Sequence, residues 1–416
     1  MKTITVEKIG KKIDATIALP ASKSISNRAL IIQSLCKRKF KINNLSEASD
    51  TVMLQEILDK IKKGKENTFN VNDGGTTYRF LTAYLAFIPG RWFLGGSERM
   101  HKRPIAPLVD TLRQLGAAIN YIDKDGFPPL EIIGGTLKGG KVSIDASISS
   151  QFISSLLMIA PMLEEGLELT MTTLPVSSPY IKMTLKMMEY FGIKHKMVDN
   201  TITISPQKYK SKEITIEADW TAASYWYEIL AFNEDGTLFF PGLQKDSLQG
   251  DAIVENIYKT FGIETTFEEH GVRITYNKEK KNMRDISETF LHIPDLAPTL
   301  FATCAGVKTK GIFWGLDTLK HKESDRLEAG KMELKKFGIE AEMTYTNTLF
   351  IPKIIDNPIS PLSINTYNDH RMAMAFAPLC IPYGKLTIEN PDVVKKSYPN
   401  FWEDLKKAGF KITETK

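Results

Sequence analysis

One joint recurs along the chain: a helix-like segment ends at a glycine, and an apolar strand-like segment follows at once. Five copies are spaced by 70 to 76 residues, and their glycines are Gly116, Gly192, Gly262, Gly338 and Gly409. Glycine readily takes the left-handed conformation that ends a helix, which gives each copy a local cause. A repeat of this length indicates a supersecondary unit of helix and strand rather than a solenoid of short repeats. With a weaker first copy at Gly64, the sequence predicts six such units.

The length of 416 residues favours two or three domains. Helix–glycine–strand joints occur in any α/β protein, but their regular spacing favours six units in two domains of three. No Gly/Ser/Pro-rich linker marks a boundary, and the best candidates are the step Leu19-Pro20 and the polar step Glu217-Ala218-Asp219. We therefore predict an α/β protein with one domain at 20–217 and a second that combines 1–19 with 218–416.

Composition narrows the class of protein. Hydrophobic residues make up 42% and charged residues 25% of the chain, which is typical of a globular protein. The net charge of +5 comes without a dense basic block, so it favours anionic small molecules over nucleic acid. The most apolar stretch, 80–88, is too short to span a bilayer, and no signal peptide is seen at the start. We expect a cytoplasmic protein without a membrane partner, with Cys36, Cys304 and Cys380 as buried thiols.

Charged and hydroxyl residues recur just before predicted helices. The clearest stretch is Pro20 to Arg28, which places Lys23, Ser24 and Arg28 at a helix start. Backbone N–H groups and the helix dipole favour an anion there, and these side chains suit phosphate or carboxylate. An ordinary capped helix with solvated charges explains one such stretch equally well. Repetition at nearly every helix start favours anion binding.

The other stretches of this kind make three local predictions. We predict that the serines and Thr76 cap their helices. We also predict that a helix begins at Pro104, with Arg103 directly before its N-terminus. We also predict that Lys322 and Arg326 share one helix face at i,i+4. The stretches are 72–79, 98–105, 149–151, 177–180, 294–295, 322–326, 367–371 and 395–399.

Familiar cofactor and nucleophile motifs are missing from the sequence. Residues 135–141 have the glycine and lysine spacing of a phosphate-binding loop, but Val142 occupies the hydroxyl position and a strand is predicted to follow. No His/Cys/carboxylate group has zinc spacing, and no Gly-x-Ser-x-Gly elbow occurs. We expect neither a metal nor a cofactor.

Together these stretches resemble the 5-enolpyruvylshikimate-3-phosphate (EPSP) synthases, a family of enolpyruvyl transferases. The resemblance runs from Leu19 to about Phe401. It rests on nine motifs in one order: Ser22-Lys23-Ser24-x-Ser26-Asn27-Arg28, Gly75-Thr76-x-x-Arg79, Arg103-Pro104-Ile105, Ser149-Ser150-Gln151, Ser177-x-Pro179-Tyr180, Pro294-Asp295, Lys322-Glu323-Ser324-Asp325-Arg326, Asn368-Asp369-His370-Arg371-Met372-Ala373-Met374 and Lys396-x-x-Pro399. The family's fold has two similar domains, each of three βαβαββ units in an inside-out arrangement, which agrees with six units.

The resemblance implies an activity: transfer of the enolpyruvyl group of phosphoenolpyruvate to the 5-hydroxyl of shikimate 3-phosphate, with release of phosphate, in the shikimate pathway to chorismate and aromatic amino acids. The implied catalytic residues are Asp295, Glu323 and Lys23. The implied phosphoenolpyruvate ligands are Lys23, Gly75, Arg103, Gln151, Arg326, Arg371 and Lys396. The implied shikimate 3-phosphate ligands are Lys23, Ser24, Arg28, Ser149, Ser150, Gln151, Ser177, Tyr180, Asp295 and Lys322. Both substrates carry a phosphate and a carboxylate, the groups that Arg and Lys match best.

Two departures from the family pattern stand out. Asp73 occupies a position where the family usually has Asn, and Thr318 stands where some members place an Asn near the shikimate, so it is not assigned. We expect a monomer that closes about the crossings near Pro20 and Asp219 when its two anionic substrates bind.

Two alternatives remain. A sister family transfers the same group to UDP-N-acetylglucosamine, but it carries Lys-Asn-Ala at the first motif and often a Cys near Arg103. This chain has Lys23-Ser24 and no Cys in 99–102. A non-catalytic anion-binding relative would keep the Lys and Arg residues and could lose Asp295 and Glu323; both are present.

Overall fold

The computed structural model describes residues 2–282, 284–344, 347–352, 358 and 361–415. The chain separates into two compact units. One, the inserted unit, is 22–216; the other, the split unit, combines 1–21 with 217–416. The two segments through which the chain leaves and re-enters the split unit pair with each other. Ala21 and Ala218 form an antiparallel bridge, and the backbone N–H of Asp219 donates to the carbonyl of Pro20 at 2.9 Å.

In chain order, the strands of the described residues are β1 (Thr3–Lys8), β2 (Asp14–Thr16), β3 (Ile42–Asn43), β4 (Thr68–Asn70), β5 (Gly90–Gly95), β6 (Ala118–Tyr121), β7 (Leu130–Gly134), β8 (Gly140–Ile144), β9 (Leu167–Met171), β10 (Lys196–Val198), β11 (Thr201–Ile204), β12 (Ile214–Thr215), β13 (Thr237–Pro241), β14 (Ile263–Glu268), β15 (Gly271–Tyr276), β16 (Ile286–Thr289), β17 (Gly311–Trp314), β18 (Glu342–Met343), β19 (Leu349–Ile351), β20 (Ser363–Ile364), β21 (Leu386–Glu389) and β22 (Phe410–Thr415).

The α-helices of the same residues are α1 (Lys23–Leu35), α2 (Ser49–Lys63), α3 (Gly75–Phe87), α4 (Glu98–His101), α5 (Ala106–Gln114), α6 (Ser150–Ile159), α7 (Ser178–Tyr190), α8 (Trp220–Asn233), α9 (Val254–Ile257), α10 (Ala297–Val307), α11 (Arg326–Lys336), α12 (His370–Phe376), α13 (Cys380–Tyr383) and α14 (Phe401–Lys407). Among them, none has both the length and the apolar character needed to cross a bilayer.

Five small sheets repeat one four-stranded pattern. In the sheet β4-β5-β7-β6, the first two strands are parallel with α3 between them in the chain, and the last two form an antiparallel hairpin. The other four sheets are β8-β9-β11-β10, β2-β13-β15-β14, β16-β17-β19-β18 and β20-β21-β1-β22. In the last of these, β1 and β22 are antiparallel but lie far apart in the chain, so they form no hairpin. The sixth sheet pairs β3 with β12 in parallel. The predicted α/β class is confirmed, and each unit holds three of the six sheets.

The glycine joints behave as the sequence predicts. All five joint glycines have a positive φ between 77° and 101°, and a strand begins within four residues of each. Only glycine takes this conformation without steric cost, so it can end a helix and turn the chain into the next strand.

The helix that joins each parallel strand pair is buried on nearly all sides. In the inserted unit α6 packs against α1 and α3, and in the split unit α10 packs against α8 and α12. In α3, for example, eleven of thirteen residues are buried. Each of α3, α6, α8, α10 and α12 begins after the first strand of its parallel pair, so polar groups collect at the helix starts.

The cysteine prediction is only partly right. Cys304 and Cys380 are buried, whereas Cys36 is half-buried because it lies directly after the end of α1.

One acid lies inside the split unit. Glu228, in the middle of α8, is fully buried, and its carboxyl accepts a hydrogen bond from the Thr303 hydroxyl at 3.4 Å. That hydroxyl also contacts the Tyr258 hydroxyl at 2.5 Å. Burial raises the pKa of Glu228 well above its usual range, and the Thr303 hydrogen bond only partly offsets this. The folded chain therefore keeps Glu228 protonated to a higher pH than an exposed glutamate.

This arrangement predicts a stability that falls as pH rises. The unfolded chain releases the Glu228 proton above pH about 4.3, whereas the folded chain keeps it, so unfolding becomes easier between that pH and the raised folded pKa. Glu228→Gln stays neutral at every pH, so it removes the contribution of this proton to the pH dependence of the unfolding free energy. We expect its advantage in unfolding free energy over the parent to grow by up to about 1.4 kcal/mol per pH unit. Urea unfolding at pH 5 and pH 8 measures it; Glu403→Gln, at an exposed site on α14, is the control. Equal slopes for Glu228→Gln and the parent would contradict this account.

Candidate active site

The helix starts of the inserted unit contact one another through polar residues, among them Lys23, Thr76 and Gln151 from the sequence motifs. Lys23 begins α1, and its Nζ lies 3.1 Å from the Oδ2 of Asp50 in the first turn of α2. The Asp50 carbonyl accepts a hydrogen bond from the Thr77 hydroxyl of α3 at 3.1 Å. From α6, the Gln151 side chain donates to the Thr76 hydroxyl at 2.9 Å. Four helix N-termini, each a source of positive potential, therefore meet in one region.

Arg28 ties a further helix to this region. Its buried guanidinium donates to the Thr184 hydroxyl of α7 at 2.7 Å and to the Ser154 hydroxyl of α6 at 3.1 Å. It also donates to the carbonyls of Ser24 and Tyr180 at 2.9 and 3.3 Å. Burial lowers the pKa of Arg28 to about 10, so it stays charged at neutral pH. Arg28 thereby fixes the positions of Ser24 and Tyr180.

The side chains of two arginines, Arg79 and Arg103, pack closely against Gly75. A methyl group placed on Gly75 would lie 2.4 Å from Nη1 of Arg103 and 2.6 Å from Nη1 of Arg79, so these two nitrogens lie within about 5 Å of each other. Both arginines are at least 95% buried. Arg79 donates to the Gly75 carbonyl at 2.9 Å, and its guanidinium lies 5.4 Å from the ring centre of Phe152. Two poorly solvated guanidiniums so close together favour binding of an anion.

Asp73 has a local partner. The Ser97 hydroxyl donates to its carboxylate, and the same Ser97 oxygen accepts from the backbone N–H of Met100 as the N-cap of α4. The carboxylate that departs from the family pattern thus holds the segment that leads to Arg103.

The predicted serines lie at two helix starts. Ser149 is the N-cap of α6 and accepts from the backbone N–H of Gln151 at 3.3 Å, and the buried Ser150 begins that helix. Ser177 precedes α7 with φ at 54°, a left-handed conformation that is uncommon outside glycine.

In the split unit, a cluster of ion pairs surrounds Asp295. Its carboxylate lies 2.8 Å from Arg371, 3.0 Å from Arg326 and 3.5 Å from Lys322. Arg371 also donates to the Tyr225 hydroxyl at 3.4 Å. These residues come from four separate segments, which the helix starts of the split unit bring together.

Two further carboxylates complete this cluster. Asp369 accepts from Nε of Arg326 at 2.8 Å, and Glu323 accepts from Nη2 of the same arginine at 2.7 Å. Glu323 also lies 3.8 Å from the Nζ of Lys396. The cluster therefore sets four cations against three carboxylates and carries a net positive charge.

The cluster fixes the ionisation of its central acid. Burial alone would raise the pKa of Asp295, but Arg371, Lys322 and Arg326 hold it well below its usual range. Burial lowers the pKa of Lys322, and Asp295 opposes that shift. A second buried acid nearby behaves differently: burial and the charge of Asp295 raise the pKa of Asp251 to about 7. Asp295 is therefore ionised, as a proton acceptor must be, although the same cations weaken it as a base.

Some local predictions are confirmed and others are wrong. Ser149 caps its helix as predicted, but Ser22 and Ser177 make no side-chain cap. Thr76 is also no cap, because α3 already begins at Gly75; its hydroxyl instead accepts from Gln151.

Two predictions of helix starts are wrong as well. Pro104 does not open a helix: α5 begins at Ala106, and Pro107 takes the early proline position. Lys322 and Arg326 do not share a helix face, since α11 begins at Arg326 and Lys322 lies in extended backbone before it. They meet instead at Asp295.

The structure adds residues to which the sequence gave no role. Arg79 and Asp369 lie inside recognised motifs, so their position was the available signal. Asp50 lies outside every motif, and only its first-turn position in α2 sets it apart.

Comparison with known proteins identifies the family. The family model described as EPSP synthase (3-phosphoshikimate 1-carboxyvinyltransferase) matches residues 7–405. The chain belongs to the EPSP synthase family. A 3-phosphoshikimate 1-carboxyvinyltransferase of Bacteroides fragilis strain YCH46 is 44% identical over 406 residues, 96% of this chain and 97% of the relative. A protein of the same name from Haemophilus influenzae is 34% identical and covers 99% of this chain and 100% of the relative.

A solved structure shares the fold. The EPSP synthase of Acinetobacter baumannii superposes with a TM-score of 0.79 at 21% identity and covers both chains fully. The fold predicted from the resemblance, the inside-out α/β arrangement of EPSP synthases, is confirmed.

The ion cluster predicts a stability role for Asp369. Asp369→Asn preserves an N-cap side chain for α12 but removes a charge that faces the fully buried Arg326. We expect a loss of roughly 3 kcal/mol in unfolding free energy, the low end for breaking a buried pair, because Asp295 and Glu323 remain. Asp325→Asn is the matched control: Asp325 is also an N-cap, of α11, but is exposed. Denaturant unfolding of both variants measures the difference, and equal losses would contradict the ion-pair account.

Proposed function

We propose that the chain transfers the enolpyruvyl group of phosphoenolpyruvate to the 5-hydroxyl of shikimate 3-phosphate and releases phosphate. Membership of the EPSP synthase family supports this. The structural observation that best supports this activity is the cluster in which Arg371, Arg326 and Lys322 keep Asp295 ionised.

The proposed binding groups are those that the family resemblance implies. For phosphoenolpyruvate the proposed ligands are Lys23, Gly75, Arg103, Gln151, Arg326, Arg371 and Lys396. For shikimate 3-phosphate they are Lys23, Ser24, Arg28, Ser149, Ser150, Gln151, Ser177, Tyr180, Asp295 and Lys322. The cations match the phosphate and carboxylate groups, and the serines and Tyr180 match phosphate and hydroxyl oxygens.

The reaction needs a base, an acid and charge stabilisation. The 5-hydroxyl oxygen forms a bond to C2 of phosphoenolpyruvate while its proton leaves and C3 gains a proton; then the C2–O bond to phosphate breaks and C3 loses a proton. Asp295, held ionised, takes the hydroxyl proton, and Glu323 exchanges the proton at C3. Lys23 places its ammonium where negative charge develops on the departing phosphate.

A direct assay tests this function. Phosphate release should require both phosphoenolpyruvate and shikimate 3-phosphate. Release with UDP-N-acetylglucosamine as the acceptor would assign the chain to the sister activity, and binding of both substrates without turnover would indicate a non-catalytic relative.

Asp295→Asn separates chemistry from binding. The amide cannot accept the hydroxyl proton, so we expect kcat to fall by about 10²-fold or more while shikimate 3-phosphate binding stays measurable by calorimetry. Asp392→Asn is the control, because Asp392 pairs with Lys395 at an exposed site. Near-normal turnover of a folded Asp295→Asn enzyme would remove Asp295 from the mechanism.

Gly75→Ala tests the two arginines. The added methyl group must displace Arg103 and Arg79, both buried, so we expect the KM for phosphoenolpyruvate to rise by about tenfold, equivalent to 1.4 kcal/mol of binding. Gly135→Ala adds the same group into open space and should leave KM unchanged. An unchanged KM in Gly75→Ala would show that this contact does not help to bind phosphoenolpyruvate.

Action in the cytoplasm and as a monomer stays a prediction from the sequence.

A further inference from the structure

Asp50 holds Lys23 by an ion pair that is almost closed to solvent. The Lys23 Nζ and Asp50 Oδ2 lie 3.1 Å apart, and their side chains are 14% and 6% exposed. Another aspartate of α2, Asp59, pairs with Lys39 at 3.8 Å, and the side chains of Lys39 and Asp59 are 58% and 48% exposed. Water screens the Lys23–Asp50 pair far less, so it fixes its lysine more firmly than a surface pair does.

Lys23 needs such a partner because of its surroundings. It begins α1, beside the starts of α2 and α3, where helix dipoles add positive potential and disfavour an ammonium group. Asp50 lies in the first turn of α2, where the same potential stabilises a carboxylate. A lysine is also a long, flexible side chain, so its direction depends on its contacts.

The position of Asp50 is itself fixed by two neighbouring helices. Its carbonyl accepts from the Thr77 hydroxyl of α3 at 3.1 Å. The next residue, Thr51, donates its hydroxyl to the side chain of Asn27 on α1 at 2.7 Å. The carboxylate that receives Lys23 therefore stands on backbone attached to both α1 and α3.

From these contacts we infer that Asp50 is a positioning residue, which aims the Lys23 ammonium at the reacting phosphoenolpyruvate. This inference rests on the proposed function, because it gives Asp50 its effect through Lys23. A supporting shell of this kind matters since small displacements of a catalytic group lose much of its effect.

The test is a double-mutant cycle on the full-length enzyme. Asp50→Asn removes the charge with little change of shape, and we expect kcat/KM for phosphoenolpyruvate to fall by at least about tenfold. Asp50→Glu restores the charge and should recover part of that loss. Asp59→Asn, the same substitution in the exposed pair, should stay within about twofold of the parent.

The decisive comparison uses Lys23→Met. If Asp50 acts through Lys23, adding Asp50→Asn to Lys23→Met costs nothing further, because the group to be aimed is gone. A merely structural role predicts that the two losses multiply, and that outcome would overturn the inference, as would normal kinetics in Asp50→Asn.

A second variant covers the case in which Asp50→Asn does not fold. Thr77→Val removes the hydroxyl that fixes the Asp50 carbonyl and leaves every charge in place. We expect a smaller loss of kcat/KM that also disappears in the Lys23→Met background, and a multiplicative loss there would count against the inference. Failure of the proposed function is distinguishable, since the parent enzyme would then release no phosphate from the two substrates.

Discussion

Burial of the crossover helices on every side is the constraint on which the rest of the structure depends. A helix enclosed by sheets and by other helices has no solvent-exposed face, so its charged residues collect mainly at its ends, and a buried exception such as Glu228 is held uncharged. The N-terminal end is also where unsatisfied N–H groups create positive potential. A fold built this way concentrates anion-binding groups at one end of each helix, whatever the chemistry that later uses them.

The balance of cations and carboxylates at these helix starts decides whether the cations are held in place without a bound anion. Cations alone would bind anions but would also repel one another in the unliganded protein. In the split unit, Asp295, Glu323 and Asp369 offset this repulsion and hold Arg326 in a fixed orientation. In the inserted unit, Asp50 does the same for Lys23. The carboxylates have a structural role in keeping the cations in place, and Asp295 remains ionised because of the same contacts.

The sequence predicted features correctly where they depend only on the local backbone conformation. The glycines that end helices, such as Gly262, require a positive φ whatever surrounds them, so the repeat and its period could be recognised. It was less informative where a role depends on distant residues. Asp50 meets Lys23 across 27 positions, and Lys322 and Arg326 both contact Asp295, which lies about 30 positions before them. The start of α5 was misplaced because both Pro104 and Pro107 satisfy the proline preference for a first helical turn, and the local pattern does not choose between them.

The pairing of β1 sets an order for synthesis on the ribosome. This strand precedes the inserted unit in the chain, yet it lies between β21 and β22, which follow that unit, and its last residue, Lys8, is opposite Phe410. The inserted unit ends at residue 216 and can fold while the chain is still growing, whereas the sheet that contains β1 must wait for β21 and β22. Until then the N-terminal strand has both edges unpaired, which makes the nascent chain, rather than the finished enzyme, the form most exposed to aggregation.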